Sequence, residues 1–236
     1  MCGRFNLAGL SWPELWHLMN DGTAPAGWDS GRNVQIPQSY NVAPTQDVPF
    51  VHLLRDRAGE LHGEMARWGL IPGWFKKPIK EWKANTINAR VETVAEAPSY
   101  RDAYRKGRCL VPMAGYFEWS TMTATKRAYY IKHRVELGIL VAGLFTEVRL
   151  PDFSGPTCAI LTEEAKGQLA KIHDRQPVIL TREAARMWLD GKPIEDIPRL
   201  PVELLQLTRV SGKVGSWKAQ GPDLIKPVEG DVEEGV

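Results

Sequence analysis

Seven short extended runs dominate the chain: "VPFVHLL", "LHGEMARWGLI", "RCLVPMAGYFEW", "RAYYIKH", "GILVAGLFTEV", "TCAILT" and "QPVIL". Each is bounded by Gly, Pro or a polar cluster, the punctuation of strands rather than of long helices. The first two flank "RDRAGE", which reads as a hairpin turn. Helical patterns are few. "LSWPELWHLMNDG" offers Ser11 as N-cap, Pro13 in the first turn and Glu14 to complete a capping box, with a stop near Gly22. "TREAARMWLDG" repeats that logic from Thr181 to Gly191, and "SYRDAYRKG" and "EEAKGQLAKI" are shorter candidates. Many strands with a few helices predict an α+β protein, a single compact domain with a β-rich, barrel-like core and peripheral helices. With no repeat, heptad run or internal linker, that domain spans residues 2–228. Residues 229–236 read as an acidic, disordered tail.

Composition narrows the function classes. Hydrophobic residues make up 43% of the 236 and charged residues 25%, enough for a sizeable core and far from any membrane-spanning run. No signal-peptide pattern opens the chain, so the expected location is the cytoplasm, without membrane association. Three cysteines lacking C-x-x-C spacing fit a reducing compartment, and the spacing of His and Cys gives no zinc pattern, so no metal or cofactor is expected. The last eight residues hold four acids and no base, which turns a net charge of +2 into +6 over residues 1–228. A basic body is compatible with nucleic acid. Nine tryptophans could supply base-stacking platforms, although core positions are their commoner fate.

Five stretches could carry chemistry. In "MCGRF", loss of Met1 would give Cys2 a thiol and a free α-amine on adjacent atoms. Reference pKa values of about 8.5 and about 7.7–8.0 leave a useful fraction of the amine uncharged near neutrality. That pair can capture an aldehyde as an imine and close it to a thiazolidine. It can equally serve an N-terminal-nucleophile hydrolase, or be an incidental cysteine in a frayed end. In "GYFEWS", Glu118 shares a strand face with Tyr116, while Phe117 and Trp119 face the other way. A carboxyl walled by aromatics suits proton transfer near neutrality; the plainer reading is an edge glutamate facing water. His173 in "KIHDRQPVIL" sits at a helix-to-strand junction and could act on a leaving or ring oxygen. Asn88 in "NTINARVET" is an amide among apolar neighbours, either a structural network member or a substrate-orienting group, with Arg90 on its face. In "RWGLIPGWFKKP", Trp68, Trp74 and Phe75 precede two lysines, a combination suited to single-stranded nucleic acid; the plainer reading is a loop that folds its aromatics back onto the core.

Taken together and in order, "MCGRF", "YNVAPTQ", "RWGLIPGW", "INARVET", "RCLVPMAGYFEW" and "IHDRQPVIL" resemble the SOS-response-associated peptidase family over nearly the whole chain. That resemblance implies a protein that senses abasic sites in single-stranded DNA and crosslinks to them covalently through a thiazolidine at Cys2. Such an adduct would shield the lesion from strand breakage. The resemblance makes Cys2 the nucleophile and Asn88 the group that orients it. Glu118 becomes the proton-transfer residue, and His173 the group that opens the deoxyribose ring. It places Arg4, Arg90, Arg175 and Thr162 on the phosphate path, and Pro44, Trp74 and Phe75 at the wedge and stacking surface. Phe75 and Gln176 stand where members often carry a tryptophan and an arginine, and "KKPIKEWKANT" looks longer than usual. The implied partner is abasic single-stranded DNA, bound by a monomer that is nucleoid-associated during DNA damage, with self-removal of Met1 as a single-use cysteine autopeptidase step. The alternatives are an N-terminal-nucleophile cysteine peptidase and a non-covalent single-strand binding module.

Overall fold

The computed structural model describes residues 2–20, 28, 35–54, 59–121 and 126–228. The expected tail at 229–236, the helix stop near Gly22 and most of the "RDRAGE" turn lie outside the described residues. The chain opens with β1 (Arg4–Asn6) and α1 (Trp12–Met19), then the antiparallel pair β2 (Asp47–Leu53) and β3 (Leu61–Trp68). After the short β4 (Asn88–Arg90) come α2 (Arg101–Lys106), β5 (Arg108–Met113), β6 (Gly115–Trp119) and β7 (Ala128–His133). The long strands β8 (Ile139–Leu150) and β9 (Phe153–Glu164) lead through α3 (Gly167–Ala170) to β10 (Arg175–Pro177) and β11 (Ile179–Leu180). Helix α4 (Arg182–Leu189) and β12 (Leu205–Val210) follow.

The order β9-β3-β2-β5-β8, with β8 pairing back onto β9, closes a five-stranded barrel. Closure removes the unpaired edges that an open sheet would expose. Its lining is mostly apolar: Trp68, Phe50, Val111, Val141 and Ile160 are essentially inaccessible, and Cys109 and Cys158 are buried free thiols among them. A second, four-stranded antiparallel sheet, β1-β6-β7-β12, lies apart from this ring. At its centre, backbones pack so closely that a Cβ at Gly115 would stand 2.6 Å from the Tyr130 ring and 2.7 Å from the Ile131 carbonyl oxygen.

Capping chemistry explains one helix start and leaves another to packing. Thr181 Oγ1 accepts from the Ala184 N–H at 3.2 Å, as its position predicts. Ser11 occupies the N-cap of α1, but its side chain makes no capping bond, so Pro13 and the burial of Trp12, Leu15 and Met19 hold that helix. No described helix is long and apolar enough to cross a membrane.

Two features of β9 position the site. Its first half pairs with β8 and β3 in the barrel wall; its second half runs past the wall, parallel to β4 and antiparallel to β10. Asn88, Arg90 and Arg175 are thereby carried side by side, with Arg90 and Glu164 opposite Thr162 and Arg175 in register. Against this extension stands the N-terminal strand, tied down by Phe5 packing on Trp68 at 4.8 Å between ring centroids.

Candidate active site and nucleic-acid interface

The N-terminal segment is among the best anchored in the molecule rather than the least. Cys2, Phe5 and Leu7 are fully buried, and Asn6 donates from Nδ2 to the Tyr130 hydroxyl at 3.0 Å. Burying a Phe side chain such as that of Phe5 is worth about 1.5–3 kcal/mol, which outweighs the fraying tendency of a chain end. Pairing of β1 with β6 puts Phe5 opposite Tyr116 and Arg4 opposite Phe117, which brings Cys2 into the vicinity of Glu118.

Strand β6 divides its side chains as alternation predicts. Tyr116 joins the main core, while Phe117 belongs to a second cluster with Tyr130, Val210 and Leu224. Glu118 is 4% exposed, so it is no edge glutamate facing water. Its Oε1 accepts from the Trp119 N–H at 3.2 Å. Burial raises its pKa above the usual carboxylate range, with the positive amino terminus and His173 acting in the opposite direction. Burial, reinforced by the Glu118 charge, likewise pushes the Cys2 thiol far above its ordinary value. The same two causes operate on Tyr116, whose phenol is held neutral by burial and by the neighbouring Cys2 and Glu118.

Asn88 reaches this cluster from β4. Its Nδ2 donates to the Cys2 carbonyl at 2.9 Å, and its Oδ1 is buried without a hydrogen-bond partner. The Asn88 carbonyl in turn accepts from the Tyr100 hydroxyl at 2.9 Å. His173 stands at the α3–β10 junction, its ring mostly buried. Nδ1 lies 2.9 Å from the Arg175 N–H and 2.7 Å from Asp174 Oδ1. One nitrogen cannot accept the first contact and donate to the second at once. Asp174 is 79% exposed, so the backbone contact sets the tautomer and leaves the proton on Nε2. Cys2, Asn88, Glu118 and His173, far apart in sequence, therefore converge, with Asn88 hydrogen-bonded to Cys2 and the charges of Cys2, Glu118 and His173 acting on one another.

The expected phosphate residues divide. Arg90 is exposed beside the cluster. Arg175 forms a bidentate pair with Glu92 at 2.7 and 2.9 Å and donates to the Thr162 carbonyl. Glu92 is half exposed, whereas the Arg175 side chain is 12% exposed. Arg4 is spent on Asn41 Oδ1 at 3.2 Å and the Gly215 carbonyl at 3.2 Å, and burial lowers its pKa. Thr162 does not fit the expectation: it is fully buried, its hydroxyl directed to the Ala89 carbonyl, where it braces β4 against β9. Gln176 is internal as well, accepting from the Lys166 N–H and donating to Glu163.

The stacking surface also differs from its expectation. Trp74 is 52% exposed, with its indole N–H on the Pro98 carbonyl, but Phe75 is packed against Ile71 and Val148 and keeps only 9% of its surface exposed, at the floor of the cleft beside it. The second indole of the surface is Trp82, from the "KKPIKEWKANT" segment, 5.7 Å from Trp74 and 5.1 Å from Phe75 between centroids. A cleft of about 570 Å³ runs between them, flanked by Lys76, Lys77 and Lys83. Pro44 is half-buried, and the following Thr45 adopts φ 74°, a left-handed conformation costly for a β-branched residue, held by its N–H on the Trp68 carbonyl. Tyr100, Trp82 and Glu92 lay outside the sequence reading; only the aromatic-lysine character of "KKPIKEWK" could have pointed to one of them.

A buried N-terminal cysteine, a neighbouring buried glutamate and an amide on its carbonyl define a site built around the start of the chain. The family model described as SOS response associated peptidase (SRAP) matches residues 1–217, and the chain belongs to that family. It is 33% identical over 235 residues to the abasic site processing protein YoqW of Bacillus subtilis, covering 96% of this chain and 99% of that one. It is 32% identical to the abasic site processing protein YedK of Escherichia coli, covering 97% and 100%. The abasic site processing protein HMCES of Xenopus tropicalis is 30% identical, with 85% of this chain and 69% of the relative covered. The fold matches a solved protein from Bacteroides thetaiotaomicron with a TM-score of 0.76 at 22% identity, covering 96% and 100%.

Proposed function

We propose that this protein processes abasic sites in single-stranded DNA by crosslinking to them through Cys2. The observation that carries the reading is the fixed position of Cys2, fully buried with its carbonyl on Asn88 Nδ2 and its thiol within the field of Glu118. A chain end is ordered this strongly when its atoms must meet a substrate in one orientation.

An abasic site is a masked aldehyde. Hydrolysis of the Met1–Cys2 bond frees the Cys2 amine. The His173 Nε2–H gives its proton to the deoxyribose ring oxygen as the bond from C1′ to that oxygen breaks, the C1′ hydroxyl proton returns to the imidazole through water, and opening of the ring exposes the C1′ carbonyl. The uncharged amine adds to C1′, and the carbinolamine loses water to give an imine. Glu118, whose carboxyl pKa is raised by burial, gives the proton that leaves with that water and takes back the one on nitrogen. The thiol then adds to the imine carbon, its proton passing to nitrogen, and the five-membered thiazolidine closes without oxidant or reductant. Loss of the free aldehyde removes the group that drives β-elimination, so the adduct protects the strand. Arg90, and Arg175 once Glu92 is displaced, take the phosphates, while Trp74 and Trp82 take the bases.

The raised thiol pKa favours this order over a peptidase. A cysteine peptidase needs a thiolate to begin, whereas here the amine begins and the thiol acts last. The test is a denaturing gel of purified protein with a single-stranded oligonucleotide carrying one abasic site. The expected result is a heat-resistant shifted band for the wild type, absent with Cys2→Ala and with intact DNA. A band that persists in Cys2→Ala would overturn the assignment.

A further inference from the structure

The β2–β3 hairpin carries a second constellation that linear spacing conceals. His52 and His62 are directly opposite one another across the two strands, and Glu64, two residues beyond His62, shares that face. The donor atoms of all three lie within 4.8 Å of one another. We propose that His52, His62 and Glu64 form a binding site for a divalent first-row metal ion, with zinc the best fit to a His₂-carboxylate donor set.

Three observations carry it. His52 Nδ1 lies 3.0 Å from the Leu53 carbonyl, an acceptor only, so Nδ1 donates there and Nε2 is the nitrogen directed at Glu64. That is the tautomer-fixing arrangement typical of metal-ligating histidines. Nε2 faces Glu64 Oε1 at 3.1 Å, and a metal ion held by the two takes the place of the proton they otherwise share. Tetrahedral zinc, with bonds of about 2.0–2.2 Å, sets neighbouring ligands about 3.3 Å apart, close to the His52–Glu64 separation and within a small adjustment of the 4.8 Å that bounds the three. Finally, the His52 ring is clamped between Phe50, stacked at 5.3 Å, and Phe145 at 4.6 Å, so its aim is preset.

His52 and Glu64 also line a cleft of about 740 Å³, which gives an ion an entry path and a water the fourth position. None of Cys2, Asn88, Glu118 and His173 lines that cleft, so the site is separate from the proposed crosslinking centre. Bound there, the ion would pin β2 to β3 next to the turn that joins them.

The experiment is calorimetric titration of zinc chloride into metal-free full-length protein, with thermal melting alongside. Cys2→Ala serves as the background, because an N-terminal aminothiol is itself a chelator. The expected result is one equivalent bound by the wild type and by Cys2→Ala, at least tenfold weaker binding in His62→Ala and Glu64→Gln, and a zinc-dependent rise in melting temperature that both variants lose. His62 is partly exposed, so its replacement leaves the barrel intact, and Glu64→Gln preserves volume. Absence of uptake, uptake unchanged in both hairpin variants, or uptake abolished by Cys2→Ala would each overturn the assignment and leave His52–Glu64 as an ion pair with a proton alone.

Discussion

Replacing Asn88 by alanine isolates the contact on which the proposed mechanism most depends. The substitution removes the 2.9 Å bond from Nδ2 to the carbonyl of a fully buried cysteine. A net hydrogen bond is worth about 1 kcal/mol, and a buried carbonyl deprived of its donor costs about 1–3 kcal/mol. Asn88 is only half-buried, so the cavity contribution is small. If the amide holds the cysteine in its reactive pose, that energy appears in the barrier, and crosslinking slows by roughly 5- to 150-fold at about 1.4 kcal/mol per factor of ten. A general stability loss of about 1 kcal/mol would lower the melting temperature of a domain this size by only about 2–4 °C. Asn88→Asp sharpens the test by setting a carboxylate oxygen against the carbonyl, and it should be at least as slow as Asn88→Ala. The assay is the single-turnover rate of adduct formation with excess protein, with melting curves on the same preparations. A wild-type rate in both variants, with folding intact, would refute the orienting role.

Glu118→Gln should abolish most of the crosslinking rate while stabilising the fold at neutral pH. A raised folded-state pKa means that Glu118 contributes most below its unfolded pKa and loses that contribution as pH rises through the folded value, so the melting advantage of Gln should grow with pH. An advantage that shrinks as pH rises would contradict the burial argument. Trp74→Ala should weaken single-strand binding by about 1–3 kcal/mol without shifting the melting curve, whereas Phe75→Ala should destabilise the fold by about 3 kcal/mol; binding titrations and melts separate the two. Arg90→Ala should reduce the slope of log affinity against log salt by about 0.7, the value for one phosphate contact on a single strand, while Thr162→Val should leave that slope unchanged.

How much of this was legible depended on whether the signal was local. Strand runs, the Thr181 cap and the alternation that separates Tyr116 from Phe117 are set by residues a few positions apart, and each is borne out. A barrel core was legible too, but its closure through β8 and β9 depends on pairings no local pattern encodes. Chain ends usually fray, so the burial of Cys2 could not be read from "MCGRF"; it follows from Phe5 packing on Trp68, a partner 63 positions away. Exposure was the weakest inference. Trp74 and Phe75 are adjacent and similar in chemistry, yet one faces solvent and the other fills the space beside Ile71 and Val148. Thr162 was misplaced for a related reason: inside a strand flanked on both sides, its hydroxyl serves the neighbouring backbone. The expectation of no metal pattern considered spacing along the chain, whereas His52 and His62 are neighbours only across strands.

The most direct test of the central claim is mass spectrometry of the adduct after nuclease and trypsin digestion, with iodoacetamide added before proteolysis. Trypsin should release Cys2–Arg4 as one peptide. The account predicts that this peptide, lacking Met1, carries the deoxyribose remnant and that its sulfur resists alkylation, because amine and thiol are both consumed in the ring. An adduct on a lysine, or on Cys2 with an alkylatable thiol, would contradict it.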